Sequence, residues 1–447
     1  MLKSKSTYKY LGFVKLSQLY NWSVQYLNDS KIRFTTKYPL VQIKEFLTRN
    51  KTAIEIQDDV YYKRATIKVR NGGIFLRDTV IGSKIGTKNQ FVISKGQFLL
   101  SKIDARNGAF GVVPDVLDGG VITGNFWTFD VDYSKVNPHY LALLTTTNQF
   151  IEFCEQASNG TTNRHYLQEP LFLDIKVPLP SLAEQNKLVE EYNTYIKRAD
   201  RIVAECKKID NDIIQCFNNS IGLKQIVKST QLLSFIRFKE TSSRWDPFAI
   251  NNRLTAEVPI FPFSKYITSI ATGTTPPTSQ KEYFNGDIKF YTPSDIIGEK
   301  YLTTSERTLT QKAIQDKKAR TFHKGDILFV GIGSTVGKVG IVSDSIVTAN
   351  QQITGITLND SLLYPEYAFY YLHYHKDITT ADHSKTTLPI INQEKIANIP
   401  IPTPPISQQK EIIKQIDKMR DKIIELSQRA TQYRTKALDN FESQIFE

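Results

Sequence analysis

Cysteine is scarce in this sequence: three residues in 447, Cys154, Cys206 and Cys216. The count is odd and no Cys-x-x-Cys pair occurs, so the chain carries neither a disulfide scaffold nor a cysteine metal or redox motif, and free thiols are expected. Long apolar runs are missing as well. No stretch approaches the roughly 18 residues that span a bilayer, and the lysine-bearing start, Met1 to Tyr10, has no hydrophobic core of a signal peptide. The expectation is a soluble, cytoplasmic protein without a membrane partner. Compositional bias is absent too: apolar residues are 40%, charged 23% and aromatic 11%, with 22 Gly and 18 Pro, which excludes a disordered or fibrous chain. At about 100–200 residues per domain the length accommodates two to four globular units.

Lys+Arg number 57 against 45 Asp+Glu, a formal charge of +12. Such a balance points to a polyanion, although basic surface also serves solubility. The excess is uneven. Residues 1–180 hold 23 basic and 15 acidic groups and residues 221–404 hold 20 and 16, while residues 181–220 hold 6 and 7.

The chain repeats itself at half its length. Asp174-Ile-Lys-Val-Pro-Leu-Pro180-Ser-Leu-Ala-Glu-Gln185 returns, 224 residues on, as Asn398-Ile-Pro-Ile-Pro-Thr-Pro404-Pro-Ile-Ser-Gln-Gln409. A heptad seam follows each copy. Leu188, Tyr192, Tyr195, Ala199, Ile202, Cys206, Ile209, Ile213 and Cys216 step by four and three, as do Ile412, Ile416, Met419, Ile423, Leu426, Ala430, Tyr433 and Ala437. A 3.5-residue period over about four heptads argues for a coiled coil; the alternative is two helices that each pack on their own domain. The prolines cannot continue a helix backwards, so they mark joints between a lobe and a rod of about 54 Å, from Leu182 to Phe217 and from Ile406 to Phe441.

The lobes repeat more faintly. Lys95-Gly-Gln-Phe-Leu-Leu and Lys324-Gly-Asp-Ile-Leu-Phe each run into a Gly-bearing loop, Ser101 to Gly111 and Gly331 to Gly337, then an Asn (Asn125, Asn350) and a helix opened by Pro138 or Pro365. Trp22 and Trp245 occupy matching positions. Gly73-Ile-Phe-Leu, Phe91-Val-Ile, Gly120-Val-Ile, Ile327-Leu-Phe-Val and Gly340-Ile-Val read as strands, so each lobe is mixed α/β.

Catalytic motifs are incomplete. Phe329-Val-Gly-Ile-Gly333 has the form of a methyltransferase cofactor loop, but the Asn/Asp-Pro-Pro-aromatic partner is absent and Trp245-Asp-Pro-Phe lacks the second proline. Gly333-Ser-Thr-Val-Gly-Lys338 is one residue short of a phosphate loop and is followed by Val339. Pro114-Asp115 with Asp174-Ile-Lys176 is too loosely spaced for a nuclease metal site and occurs in one lobe alone. His373-Tyr-His375 reads as a surface pair without a third zinc ligand.

Taken in order, these features resemble a specificity subunit of a Type I restriction-modification system. The resemblance rests on lobe, helix, lobe, helix over the whole chain, on the Pro-Leu-Pro and Pro-Thr-Pro segments before the helices, and on three lobe motifs. These are Gly273-Thr-Thr-Pro-Pro-Thr-Ser with Tyr283-Phe-Asn-Gly-Asp-Ile-Lys-Phe-Tyr291-Thr-Pro-Ser-Asp-Ile; Lys324-Gly-Asp-Ile-Leu-Phe with Gly333-Ser-Thr-Val-Gly-Lys; and Ser101-Lys-Ile-Asp-Ala-Arg-Asn-Gly-Ala-Phe-Gly. It implies two α/β (mixed α+β) target-recognition domains, residues 1–180 and 222–404. They are separated by two long helices, 181–221 and 405–447, that form an antiparallel coiled coil, with a pseudo-twofold internal repeat. It further implies a non-catalytic subunit with no cofactor of its own, which recognises a bipartite asymmetric site in double-stranded DNA. Two modification subunits using S-adenosylmethionine and the restriction (translocase and endonuclease) subunits would be its partners. A stand-alone methyltransferase or nuclease and a protein-binding coiled-coil scaffold are the competing classes.

Reading duplex DNA needs cations for phosphates and paired donors and acceptors for base edges. The first lobe offers Lys63, Arg64, Lys68, Arg70, Arg77, Lys84, Lys88, Lys102 and Arg106; the second offers Lys289, Arg320, Lys324, Lys338 and Lys385 with the amides Gln351 and Gln352. The expected base-reading loops carry Lys102, Asp104, Arg106 and Asn107 in the first lobe, and Thr275, Ser294, Ser334, Thr335 and Lys338 in the second. For any one of these the plainer role is a solvated charge or a turn-forming polar group.

Overall fold

A computed structural model describes residues 36–69, 72–156, 158–159, 166–224, 254–380 and 389–446. Trp22, Trp245, Arg70 and Lys385 lie outside the described residues. The chain divides into two compact units, Met1–Ile202 with Gln428–Glu447, and Val203–Ser427. The long helices run Leu182–Ile221 and Ile406–Phe446, 40 and 41 residues, about 60 Å each. Each is about one turn longer than the rod expected from the sequence, and Ile221 and Ile445 in the added turn are buried. Residues of each long helix fall in both units.

In the first unit one sheet has the strand order Leu47–Asn50, Phe126–Val131, Phe98–Ser101, Phe110–Val112. A second has the order Ala53–Glu55, Asn89–Ile93, Gly120–Ile122, Tyr61–Lys68, Gly73–Ile81. Phe98, Phe110, Phe129, Phe150 and Phe172 fill the core beside the first sheet, joined by Leu188, Phe441 and Ile445 from the long helices.

The second unit repeats this plan. Ile267–Thr272, Ile353–Leu358, Ile327–Val330 and Val339–Val342 follow in the same order, with Tyr301–Leu302 added at the edge. Its other sheet is Arg307–Leu309, Phe284–Tyr291, Ile346–Ala349, Thr321–His323. In both units the second sheet contains one parallel pair among antiparallel ones, Tyr61–Lys68 with Gly120–Ile122 and Phe284–Tyr291 with Ile346–Ala349. All five segments read as strands from the sequence are strands.

The turns repeat as well. Gly96 (φ 82°) and Gly325 (φ 92°) take the left-handed backbone that a residue with a Cβ avoids. The residue after each closes the turn: Gln97 Oε1 accepts from Ser94 N at 2.8 Å, and Asp326 Oδ2 accepts from His323 N at 2.8 Å. Each turn aims its following strand at the Gly-bearing loop.

The start of each long helix is held by a buried glutamine. Gln185 Nε2 donates to Lys135 O (3.0 Å) and Pro180 O (2.9 Å), and its Oε1 accepts from Asn137 N (2.8 Å). Gln409 makes the same set: Nε2 to Leu362 O (3.1 Å) and Pro404 O (2.9 Å), Oε1 from Tyr364 N (2.9 Å). Tyr140 and Tyr367 reinforce this, donating to Pro178 O and Pro402 O. The repeated glutamine therefore serves as a structural clamp.

Within each unit the long helices run antiparallel. In the first, the Tyr195 and Tyr433 rings lie 6.4 Å apart, and Asp200 meets Arg434 at 3.2 Å. In the second, Glu205 meets Lys422 at 3.3 Å and Gln408 Nε2 donates to Ser220 O at 2.7 Å. Leu188, Ala199, Ile209, Ile213, Ile412, Ile416, Leu426, Ala430 and Ala437 are buried, and the other seam positions are half-buried. No disulfide joins the three cysteines. Among the described residues no helix is long and apolar enough to cross a membrane.

Candidate nucleic-acid interface

In the second unit the loop from Gly331 to Gly337 is pinned through its backbone. Gly331 N donates to Gln352 O, Ile391 N donates to Gly331 O and Gly333 N donates to Pro389 O. A Cβ on Gly331 would stand 2.8 Å from Ile391 O, and Gly333 has φ 111°, so both positions require glycine. Across from this loop, Thr292 N and Oγ1 both donate to Asp295 Oδ2 at 2.7 Å, while Asp295 Oδ1 accepts from Glu306 N. Between them lies a cleft of about 490 Å³ lined by Thr292, Pro293, Ser294, Glu306, Arg307, Ile332, Gly333, Ser334, Thr335, Lys338, Asn350 and Gln352. A second hollow of about 340 Å³ shares Ile332 and Gln352 and adds Thr272, Gln351, Asn392 and Gln393.

The structure thus gathers Ser294, Ser334, Thr335, Lys338 and Gln352 around one cleft. Thr275 and Gln351 lie nearby, joined by a hydrogen bond from Thr275 Oγ1 to Gln351 Oε1 at 2.5 Å. The backbone of exposed Arg320 is held by Thr274 Oγ1 at 2.8 Å. Lys289 is set apart: its ammonium is bound by Asp344 Oδ2 at 2.8 Å and by Thr303 O. Burial, and after it the neighbouring Lys338 charge, hold Lys376 below its ordinary pKa. The Lys338 cation beside a ring of hydroxyls and amides favours an anion or the acceptor edge of a base.

In the first unit the corresponding loop contains a short 3-10 helix, Ala105–Asn107, ended by Gly108 at φ 71°. Asp104 turns inward as its staple, receiving Ser101 Oγ at 3.2 Å and Asn107 Nδ2 at 3.4 Å. Lys102 is fixed through its backbone, its N–H on Asn125 O and its carbonyl on Leu167 N, and Arg106 is half-buried.

The basic side chains of this unit divide in two. Arg64 forms a double bond-pair with Asp78, both contacts at 2.7 Å, which lowers the Asp78 pKa. Lys88 is bound to Asp58 and to Gly82 O. Lys63 reaches the backbone carbonyl of Asp118, Arg77 stands 3.7 Å from Asp78, Lys68 lies over the Phe75 ring, and Lys84 is exposed. Arg64, Lys88 and Lys289 therefore have their charge compensated within the protein, by partners that spacing along the chain does not reveal.

The catalytic fragments also find structural partners. Asp174 binds Lys44 at 2.7 Å. His373 and His375 are not a surface pair: His373 stacks on Phe369 (22° between rings), and His375 meets Asn218 Oδ1 at 2.6 Å and Tyr371 O at 3.1 Å. Burial is the main force lowering both, with His373 pushed down to about 4. Sequence reasoning missed Arg307, Glu306, Asn350, Asn392 and Gln393; the Asn-Gln-Gln run at 350–352, next to a Gly-bearing loop, was the available signal.

The family described as Type I restriction modification DNA specificity domain matches residues 17–209 and again residues 265–432. The chain belongs to that family. Two specificity domains in one chain account for the repeat in sequence and in strand order. The MjaIX type I restriction enzyme specificity subunit of Methanocaldococcus jannaschii is 33% identical over 156 residues, 33% of this chain and 34% of that protein. The putative MjaX specificity subunit of the same organism is 21% identical over 308 residues, covering 68% and 66% of the two chains. The EcoDI specificity subunit of Escherichia coli is 21% identical over 264 residues, 57% of each. The chain thus spans between about a third and two thirds of the curated relatives it matches. A chain from a solved type I R-M system, studied for complex assembly and conformational transition, shares the fold with a TM-score of 0.52. The likeness covers 92% of this chain and 97% of that one at 17% identity.

Proposed function

We propose that this specificity-domain protein is the DNA-reading subunit of a type I restriction-modification complex and recognises a bipartite, asymmetric site. Residues 1–180 and 222–404 act as two target-recognition domains, each reading one half-site, and residues 181–221 and 405–447 act as the spacer between them. The subunit has no chemistry of its own. Methylation from S-adenosylmethionine and cleavage belong to its modification and restriction partners in the cytoplasm. The observation that carries the reading is the doubled specificity domain, whose two lobes present a Gly-bearing loop at the same place in the same strand order. Two lobes alike in frame and different in loop residues suit two different half-sequences.

The test is an exchange of residues 1–180 for the same region of a relative, with the recognised sequence mapped before and after. One half of the split site should change and the other stay. A change in both halves would overturn independent reading. Methyl transfer or cleavage by the purified chain alone, lost on Gly331→Ala or Asp174→Asn, would favour a stand-alone enzyme instead.

A further inference from the structure

The amide run in the second unit assigns a polarity to the cleft. Gln352 N, which can only donate, meets the Asn350 side chain at 3.1 Å, so that atom is Oδ1. The other end of the Asn350 amide is therefore Nδ2, a donor, and the Gln352 atom 3.0 Å from it is Oε1. With its oxygen engaged, Gln352 offers the cleft its nitrogen. Nε2 lies beside Gly333, 3.5 Å from where a Cβ on that glycine would stand. Gly331 N, bound to Gln352 O at 2.8 Å, fixes the same residue from its backbone side.

A glutamine whose amide is free to turn suits adenine, which shows a donor and an acceptor in the major groove; a nitrogen presented alone suits guanine, whose N7 and O6 both accept. The neighbours agree in sign: Ser334, Thr335, Lys338 and Arg307 can all donate, and Glu306 supplies the one carboxylate of the lining. Resting on the base-reading function above, we propose that Gln352 reads a guanine of the second half-site and that Asn350 is the positioning residue that sets its polarity. Asn350 is itself buried and tied through its N–H to Tyr291 O, so the lock is built into the fold.

The test uses the full chain with its modification subunits, the mapped site, and duplexes carrying single base-pair changes in competition binding. One guanine in the second half-site should be preferred over adenine by about 5- to 100-fold, the range for a good side-chain pair. Gln352→Leu should abolish that preference at this base pair alone. Asn350→Ala, which frees the amide to turn, should let adenine bind nearly as well as guanine there. Unchanged preferences at the other base pairs of the second half-site report that the second lobe folds in both variants. The proposal fails if Gln352→Leu leaves every preference intact or alters an adenine instead. It also fails if the variant weakens binding to all sequences equally, the mark of a phosphate contact. Loss of sequence selectivity in the unmodified complex would sink base reading itself, whereas selective binding indifferent to both variants sinks only this assignment.

Discussion

Replacing Gln409 with leucine removes three hydrogen bonds at the junction of the second lobe and its long helix. The side chain is fully buried. Its loss strands the carbonyls of Leu362 and Pro404 and the N–H of Tyr364; the bond to Pro404 is buried and the other two are partly buried. A buried polar group left unsatisfied costs about 1–3 kcal/mol, and some relaxation is expected, so the net loss should be about 3–5 kcal/mol. Leucine nearly conserves volume, so little of this is a cavity effect. Urea unfolding followed by circular dichroism, with exposed Lys418→Ala as the control, measures it. Gln185→Leu should cost a similar amount in the first unit, because its three partners correspond one for one. A loss below about 1 kcal/mol at either position would refute the clamp.

Three further outcomes are expected. His373 is held neutral, its pKa down at about 4 from 6.5, so the unfolded chain binds the extra proton first as pH falls. Stability should drop between pH 6.5 and 4 by about 2–3 kcal/mol more than in His373→Phe, and equal pH slopes in the two proteins would contradict this. Inserting four residues near Ala199, about 6 Å of helix, should shift the tolerated gap between half-sites by about one or two base pairs with both half-sequences kept; an unchanged gap would show that the helices are not the ruler. A chain ending after Ile221 lacks Phe441, which packs on Tyr140 at 5.9 Å, but keeps Phe217, which packs on Tyr367 at 5.2 Å. Phe217 of a second copy can take the vacated place, so the truncated chain should dimerise and, with modification subunits, methylate a palindrome of the first half-sequence; a monomer at micromolar concentration by light scattering would refute this.

The features legible in the sequence were those with a period. The 224-residue repeat, the two heptad seams and the strands after Lys95-Gly and Lys324-Gly each follow from spacing, because helix and strand periodicity is local. Partners distant in sequence were not legible. Leu40–Gln42 pairs with Lys176–Pro178 across more than a hundred residues, and nothing in either triplet names the other. Five residues of the candidate cleft were legible, Ser294, Ser334, Thr335, Lys338 and Gln352, but the ion pairs of other expected contacts were hidden for the same reason. Arg64 looks like a phosphate contact until the hairpin puts Asp78 opposite it, and Lys289 until a sheet brings Asp344 alongside. His373 and His375 sit among polar and aromatic neighbours in sequence, yet the helix from Pro365 to Tyr374 is buried nearly all round. Gln185 and Gln409 stood out as a repeated residue, and only the lobe's carbonyls explain why an amide is needed there.

The account stands most directly on the sequence that the complete system marks. Mapping methylated adenines across the genome of cells carrying this chain with its modification subunits should return one split motif: two different short half-sequences separated by a fixed number of unspecified base pairs. A continuous motif, a perfect palindrome, or methylation that persists unchanged when this chain is deleted would contradict it.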